Sequence, residues 1–559
     1  MKVQNIEIPY PEDRAGWYRF FEILPGLLSL LIFLTPIVLS IFYVTAAAYF
    51  IITYVLLLLI RASAMSMRVI EGYGNVKKAR KVDWEALLKD FYRPGEAAVR
   101  HRDAINSLVK AHISNMERLN KGNLIDMLPD ELFQVVIICT YNESQAIIHP
   151  TIEHVIDTNG FAKRKTILFI AYEQRASEQK KRETLETLNI YKNKFYYAEA
   201  VEHTLTKGEI PGKGANATHT GRRVAKWIQQ QGIDPSRVLI TTLDSDNRTD
   251  KNFFSILTYV YLSAENRKQK SYQPVALYNN NIWDVPAIMR LCAISNTYFH
   301  MANSMRPHAL RNFSAHSQSL DALIDTDFWS VRTIVEDGHQ FWRTYFRFDG
   351  DHQVLPLYAP IYQDAVYAGK RIRTTKAQFK QIRRWTYGAS DVAYVATRAF
   401  FMKNKVRKLD ALFKFSRLLE SHVGWAISAP LILLSGWIPL YINANASHNI
   451  VAQRLPNVVS TINTIALVAL LFIVYIGIAT LPKRPAHHHR RRVLGFLWQW
   501  ILTPVVGVAF NSVAAINSQV HLAFGRYIGV FDVTEKAIKS ETSKGKPWFR
   551  LLRLRRHKG

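Results

Sequence analysis

Two apolar blocks, residues 26–60 and 423–527, bracket a long polar middle, and few folds are open to a chain divided in this way. A helix needs about 20 predominantly apolar residues to cross a bilayer. From residue 61 to 421 no run meets that demand, whereas 26–60 is almost without charge. The first block can hold two short spans joined by a turn near 40–46, with a single tilted helix as the rival reading. Arg61, Arg68, Lys77, Lys78, Arg80 and Lys81 follow at once, which places this end in the cytoplasm. Segments 423–442 and 458–481 read as further spans; the loop between them carries only Arg454, so it is expected outside. The stretch 493–527 is long enough for two short crossings, and the basic tail (Arg550 to Gly559) calls for an even number, giving six spans. Glu7, Glu12 and Asp13 near the start do not resemble the basic n-region of a secretory signal.

A formal charge of +28 points to a polyanionic neighbour, which could be nucleic acid, an anionic membrane face or a phosphorylated substrate. The basic residues concentrate around the apolar runs instead of interleaving with exposed aromatics, so the lipid bilayer is favoured and nucleic acid is not expected. Cys139 and Cys292 provide neither a disulfide framework nor a zinc-ligand spacing. The run His487-His488-His489 stands beside Arg490, Arg491 and Arg492, where a lipid-headgroup contact is expected over metal binding.

In the middle, segments 133–139, 165–171, 194–198, 238–243 and 274–278 read as short buried strands, with candidate helices such as 215–230 between them. That alternation predicts an α/β domain with a largely parallel sheet, whose ligands collect at the carboxyl ends of the strands. Beyond Asp391, the residues Val392, Val395, Ala399, Leu409, Leu412, Phe413 and Leu419 fall at roughly helical spacing, and Lys403, Lys405, Arg407, Lys408, Lys414 and Arg417 supply a basic face. Helices in the membrane interface are expected there, with a surface helix on the soluble domain as the alternative.

Five fragments carry candidate chemistry. Asp244-Ser-Asp246 ends a strand at the ligand-collecting edge, where paired carboxylates can hold a divalent cation, or simply be solvated in a capped loop. A second such pair, Asp325-Thr-Asp327, lies in more polar surroundings. Cys139-Thr-Tyr-Asn-Glu143 offers an aromatic face and a carboxylate to a base. Pro211-Gly-Lys-Gly-Ala-Asn216 precedes a helix, so its amides and Lys213 can meet phosphate, although it lacks the spacing of a P-loop ATPase. Glu336-Asp337 is by itself ordinary helix-start charge. In Gln381-Ile-Arg-Arg-Trp385, Trp385 can stack on a sugar ring while Arg383 or Arg384 pairs with diphosphate.

In this order, Thr140-Tyr-Asn-Glu143, Gly212-Lys-Gly-Ala-Asn216, Asp244-x-Asp246, Glu336-Asp337 and Gln381-x-x-Arg-Trp385 resemble the membrane-embedded family 2 glycosyltransferases, the group of cellulose, chitin and hyaluronan synthases. Phe531-Asp-Val-Thr-Glu-Lys536 is similar to a segment that these enzymes often carry after their last span. The resemblance implies an α/β GT-A type, Rossmann-like cytosolic domain inserted between transmembrane helices. Its expected layout is an N-terminal cytosolic segment (1–25), a membrane hairpin (26–60), a helical linker (61–130), the catalytic domain (131–390), interface helices (391–420), about four spans (421–527) and a basic tail (528–559). It implies transfer of a sugar from a nucleotide donor, UDP foremost, with inversion, to a saccharide or lipid-linked acceptor at the cytosolic face of the plasma membrane. Mg²⁺ or Mn²⁺ is the implied cofactor.

On the same basis Thr140, Tyr141, Glu143, Glu173, Lys213, Asp244, Gln381 and Arg384 bind the nucleotide sugar, and Asp244 and Asp246 the metal. Asp337 is the general base, and Glu336 and Trp385 meet the acceptor. Two segments depart from the pattern. Ala171-Tyr-Glu-Gln-Arg175 puts Glu173 where an Asp-Asp-Gly-Ser turn is common, and Phe313-Ser-Ala-His-Ser317 has no glycine where Phe-x-x-Gly-Ser is common. A non-processive transferase onto a polyprenyl-phosphate or glycolipid is the alternative within enzymes. A transporter or lipid-binding protein with a regulatory soluble domain is the alternative outside them. Protein partners are left open.

Overall fold

The computed structural model describes residues 5–158, 165–486, 488–489 and 492–530. The segment 531–536 and the basic tail lie outside the described residues.

Among the described residues, eight strands form one sheet in the order β3-β2-β1-β4-β7-β6-β8-β5. Strands β1 (Phe133–Thr140), β2 (Thr166–Glu173), β3 (Tyr197–His203) and β4 (Val238–Asp244) are mutually parallel. Every residue of β1 is buried, because helices cover both faces of this half and a near-continuous apolar run results. Val135 and Ile137 pack toward Val224, Trp227 and Ile228 of the helix Lys213–Gln230. Val136 and Ile138 point the other way, toward Ile148, Ile152 and Leu257, as a period of two demands. Gly221 lets that helix approach closely, since a Cβ there would stand 2.5 Å from the Phe328 ring.

The other half of the sheet is mixed. β7 (His316–Ser319) runs antiparallel to β4 and to β6 (Lys270–Leu277); β8 (Gln353–Tyr362) is parallel to β6 and antiparallel to the two-residue β5 (Arg248–Thr249). The result is an α/β domain built on one mixed sheet, with helices long and apolar enough to cross a membrane on both sides of it in sequence.

Differences from the sequence expectations have physical reasons. β3 starts at Tyr197, not 194, because Lys192–Lys194 closes the preceding helix as a 3₁₀ turn. Its second half, with Glu199, Glu202 and His203, is too polar to read as a strand, and it sits at the sheet edge where polar residues are at home. β7 is wholly polar and β8 carries Pro356 and Pro360, which argue against a strand in sequence; Pro360 falls at the register shift between Pro274 and Val275.

Among the described residues, five helical runs are long and apolar enough to cross a membrane: Trp17–Phe42, Val44–Ala79, Lys408–Ile442, Ile450–Ala479 and Arg492–Ala523. The first block is thus two helices, broken only at Tyr43 (φ −143°, ψ 72°), and the first begins well before residue 26. Val44–Ala79 rises about 54 Å against a hydrocarbon core of roughly 30 Å, so its end enters the soluble domain. There Gly72 lies so near the Met301 carbonyl that a Cβ would stand 2.5 Å from it.

Where two short crossings were expected, Arg492–Ala523 is one continuous run of 32 residues. Pro504 falls at the start of a new turn, where a missing N–H costs nothing, and does not break it. Arg290 bonds Gln499 near one end (2.8 Å) and Arg19 bonds the Leu522 carbonyl at the other (3.0 Å). Within 391–420, Val392 and Val395 are buried with Phe341 and Trp342, while Leu409, Leu412 and Phe413 stay exposed. His488 is buried against Asp284 (3.0 Å); His487, Arg490 and Arg491 lie outside the described residues.

Candidate active site

β1, β2 and β4 end side by side, and all twelve expected site residues line one cavity at their carboxyl ends: Thr140, Tyr141, Glu143, Glu173, Lys213, Asp244, Asp246, Glu336, Asp337, Gln381, Arg384 and Trp385. Asp325 and Asp327 do not; Lys268 pairs with the first (2.8 Å) and Arg222 with the second (2.9 Å).

After β1 the Glu143 carboxylate folds back on its own loop, accepting from the Thr140 hydroxyl (3.0 Å) and the Tyr141 N–H (2.7 Å). Glu143 therefore shapes the turn as well as lining the cavity. Glu173 ends β2 almost wholly buried, bonded by Arg175 (Nη2 to Oε1, 3.1 Å), whose guanidinium lies 4.4 Å from the Tyr141 ring centre. Asn216 ties helix Lys213–Gln230 to the end of β2 by donating to the Ala171 carbonyl (3.0 Å). The helix starts hard against its neighbours, since a Cβ on Gly214 would stand 2.6 Å from the Ser330 carbonyl and 2.9 Å from Glu336 Cβ.

Lys213 is the charged centre. Its Nζ bonds Asp244 Oδ1 (2.7 Å) and the Ser314 carbonyl (2.9 Å). Burial works against its charge, but Asp244 and then Glu336 hold its pKa above the ordinary lysine range. Asp244 Oδ2 accepts from Ser314 Oγ (2.6 Å). Asp246 accepts from Asn247 Nδ2 (3.4 Å) and, on its other oxygen, from the Asp364 N–H (3.2 Å).

Glu336 and Asp337 open the helix Glu336–Arg347. Burial, then the adjacent Asp337 charge, pushes the Glu336 carboxyl up to about 8. Asp337 is set by two backbone donors, Ser314 N–H on Oδ2 (2.5 Å) and Gly338 N–H on Oδ1 (2.7 Å). From the helix Arg371–Thr386, Gln381, Arg384 and Trp385 project at i, i+3 and i+4 spacing, on one face. The Trp385 ring meets Tyr278 edge-on at 6.4 Å. Arg383 does not line the cavity.

Ser314, Gln363, Asp364 and Tyr278 also line the site, and Arg175 adjoins it; sequence reasoning passed over all five. Ser314 and Arg175 had a signal, each lying in one of the two segments that depart from the family pattern.

The carboxylates of Asp244 and Asp246 are hard oxygen donors at a strand end, the donor type that Mg²⁺ and Mn²⁺ take, so the residues present suit such a cation. A second group, Asp90, His101 and His112, is also close enough to hold a metal ion. Both imidazole Nε2 atoms lie 2.8 Å from Asp90 Oδ2, Arg100 bonds the other oxygen, and Tyr259 faces His112 Nδ1 at 3.1 Å. That group is closed by hydrogen bonds and lines no part of the cavity.

No protein-family model matches the chain, and no curated protein matches it. Among solved structures it is similar to a mannosyltransferase of Pyrobaculum calidifontis in complex with GDP-Man and Mn²⁺ (12% identity, TM-score 0.38, 77% of this chain and 99% of that one). It is similar also to S. aureus TarS 1–349 (11% identity, TM-score 0.34, 71% and 93%). A third is glucosyl-3-phosphoglycerate synthase of Mycobacterium tuberculosis in complex with Mn²⁺, UDP and phosphoglyceric acid (13% identity, TM-score 0.28, 48% and 78%).

Proposed function

We propose that the protein is an inverting, metal-dependent glycosyltransferase. It moves a sugar from a UDP-linked donor to a growing polysaccharide at the cytosolic face of the plasma membrane, and the product passes outward between the membrane helices. The observation that carries this reading is the single cavity in which a buried lysine and two spaced aspartates share space with a third aspartate oriented by two N–H donors. Lys77 and Lys78 in the last turn of Val44–Ala79 support a cytosolic position for the domain.

Tyr141 and the Glu173–Arg175 pair receive the base. Lys213, the N-terminus of its helix and Arg384 receive the diphosphate. Asp244 and Asp246 would hold Mg²⁺ or Mn²⁺, which when bound offsets the charge on the leaving diphosphate. Asp337 takes the proton from the acceptor hydroxyl as that oxygen bonds to the anomeric carbon. The anomeric C–O bond to the diphosphate breaks, and its electron pair leaves with the phosphate oxygen. Trp385 stacks on the acceptor, and Glu336, mostly protonated at neutral pH, offers it an O–H donor.

The test is purified protein in lipid, given labelled nucleotide sugars with and without divalent cation, followed by sizing of the product. Cation-dependent incorporation into a long polymer is expected. A single-sugar lipid product would overturn processive transfer, and no turnover of any donor would overturn the enzyme reading.

A further inference from the structure

Ser314 touches both sides of the proposed reaction. Its backbone is left-handed (φ +43°), a conformation that glycine adopts freely and other residues rarely. Each of its polar atoms is used. The N–H donates to Asp337 Oδ2 (2.5 Å), the carbonyl accepts from Lys213 Nζ (2.9 Å) and the hydroxyl donates to Asp244 Oδ2 (2.6 Å). Gln363 Nε2 donates to the same hydroxyl (3.1 Å), which leaves its proton for the carboxylate. The conformation is enforced from β6, where the buried Gln273 amide accepts from the Phe313 N–H (2.8 Å) and donates to the Phe313 and Ala315 carbonyls (3.2 and 3.1 Å).

We propose that Ser314 is a positioning residue that sets the donor-side carboxylate Asp244 through its hydroxyl and the base Asp337 through its main chain, so that donor binding and proton removal are registered by one residue. This rests on the transferase reading above. The two functions separate by substitution, because losing the hydroxyl leaves the N–H in place.

Ser314→Ala and Ser314→Gly are each expected to raise the donor KM and the UDP dissociation constant about tenfold, since one charge-assisted bond is lost, while kcat stays within about twofold. Ser314→Thr keeps a hydroxyl but puts a β-branched side chain at a left-handed φ, so it is expected to bring both constants only part of the way back toward wild type. Gln363→Leu, which frees the hydroxyl proton to turn away, moves them in the same direction by less. UDP binding is measured by calorimetry in Mn²⁺ on the full chain in lipid, with thermal midpoints alongside. Wild-type constants in Ala and Gly, or a loss of kcat with KM unchanged, would overturn the inference while leaving the transferase reading standing. Absence of both UDP binding and turnover in the wild type would overturn the transferase reading and this inference with it.

Discussion

In β1, β2 and β4 the buried side chains are chiefly aliphatic and the strands pair in parallel, whereas all four residues of β7, directly beside β4, are polar and equally buried. The first half is held by non-directional burial, the second by directed bonds such as Thr241 Oγ1 to Ser317 Oγ (2.7 Å) and Gln340 Nε2 to Gln318 Oε1 (3.2 Å). Apolar packing supplies stability but tolerates small shifts, while a hydrogen-bonded strand fixes its register. The loop that carries Ser314 runs straight into β7, so the directed half is the one that sets distances in the site.

That contrast can be broken by experiment. Ile137→Ala, in the aliphatic half, should cost about 2–5 kcal/mol and leave the donor KM of the folded fraction unchanged. Thr241→Val keeps shape but orphans the Ser317 hydroxyl, so about 1–3 kcal/mol is expected, together with a raised donor KM. Denaturant unfolding alongside kinetics checks both; a KM change in the first and none in the second would reverse the comparison.

Glu336 sharpens it through pH. The folded chain keeps this proton up to about 8, while the unfolded chain loses it near the ordinary 4.5. Unfolding therefore releases a proton between those values, and stability falls as pH rises through that window and is flat above it. Glu336→Gln should flatten that slope in thermal midpoints taken from pH 5 to 9; an unchanged slope would show that another group is responsible. The smallest effect is expected at Asp327, where the exposed pair with Arg222 contributes about 0–1 kcal/mol, so Asp327→Ala should leave turnover intact. A loss of turnover there would mean that the wrong Asp-x-Asp had been assigned to the cavity.

The same contrast explains what could be read from the chain beforehand. β1 and β4 were visible because aliphatic runs announce a doubly covered strand, and Asp244, Lys213 and Asp337 because charged groups beside glycine or strand ends form recognisable strings. β7 was not visible, since His316-Ser-Gln-Ser319 is buried only through partners such as Thr241, Thr344 and Trp329, which are distant in sequence. Asp364 acts through its N–H, and the Ser314 main chain through a positive φ, an N–H and a carbonyl; such roles leave no trace in residue type. The long apolar helices were legible in place but not in length, because Val44–Ala79 and Lys408–Ile442 continue into polar sequence where packing, not hydropathy, keeps them helical.

The most direct test of the account is Asp337→Asn. The amide keeps the shape and can keep one of the two accepted N–H bonds; its NH2 group cannot accept the other, and it cannot take a proton. With the donor that the wild type uses, kcat should fall about 10²-fold or more while the UDP dissociation constant stays within about twofold. Turnover near wild type would contradict the assignment of Asp337 as the base, and with it the mechanism drawn from this cavity.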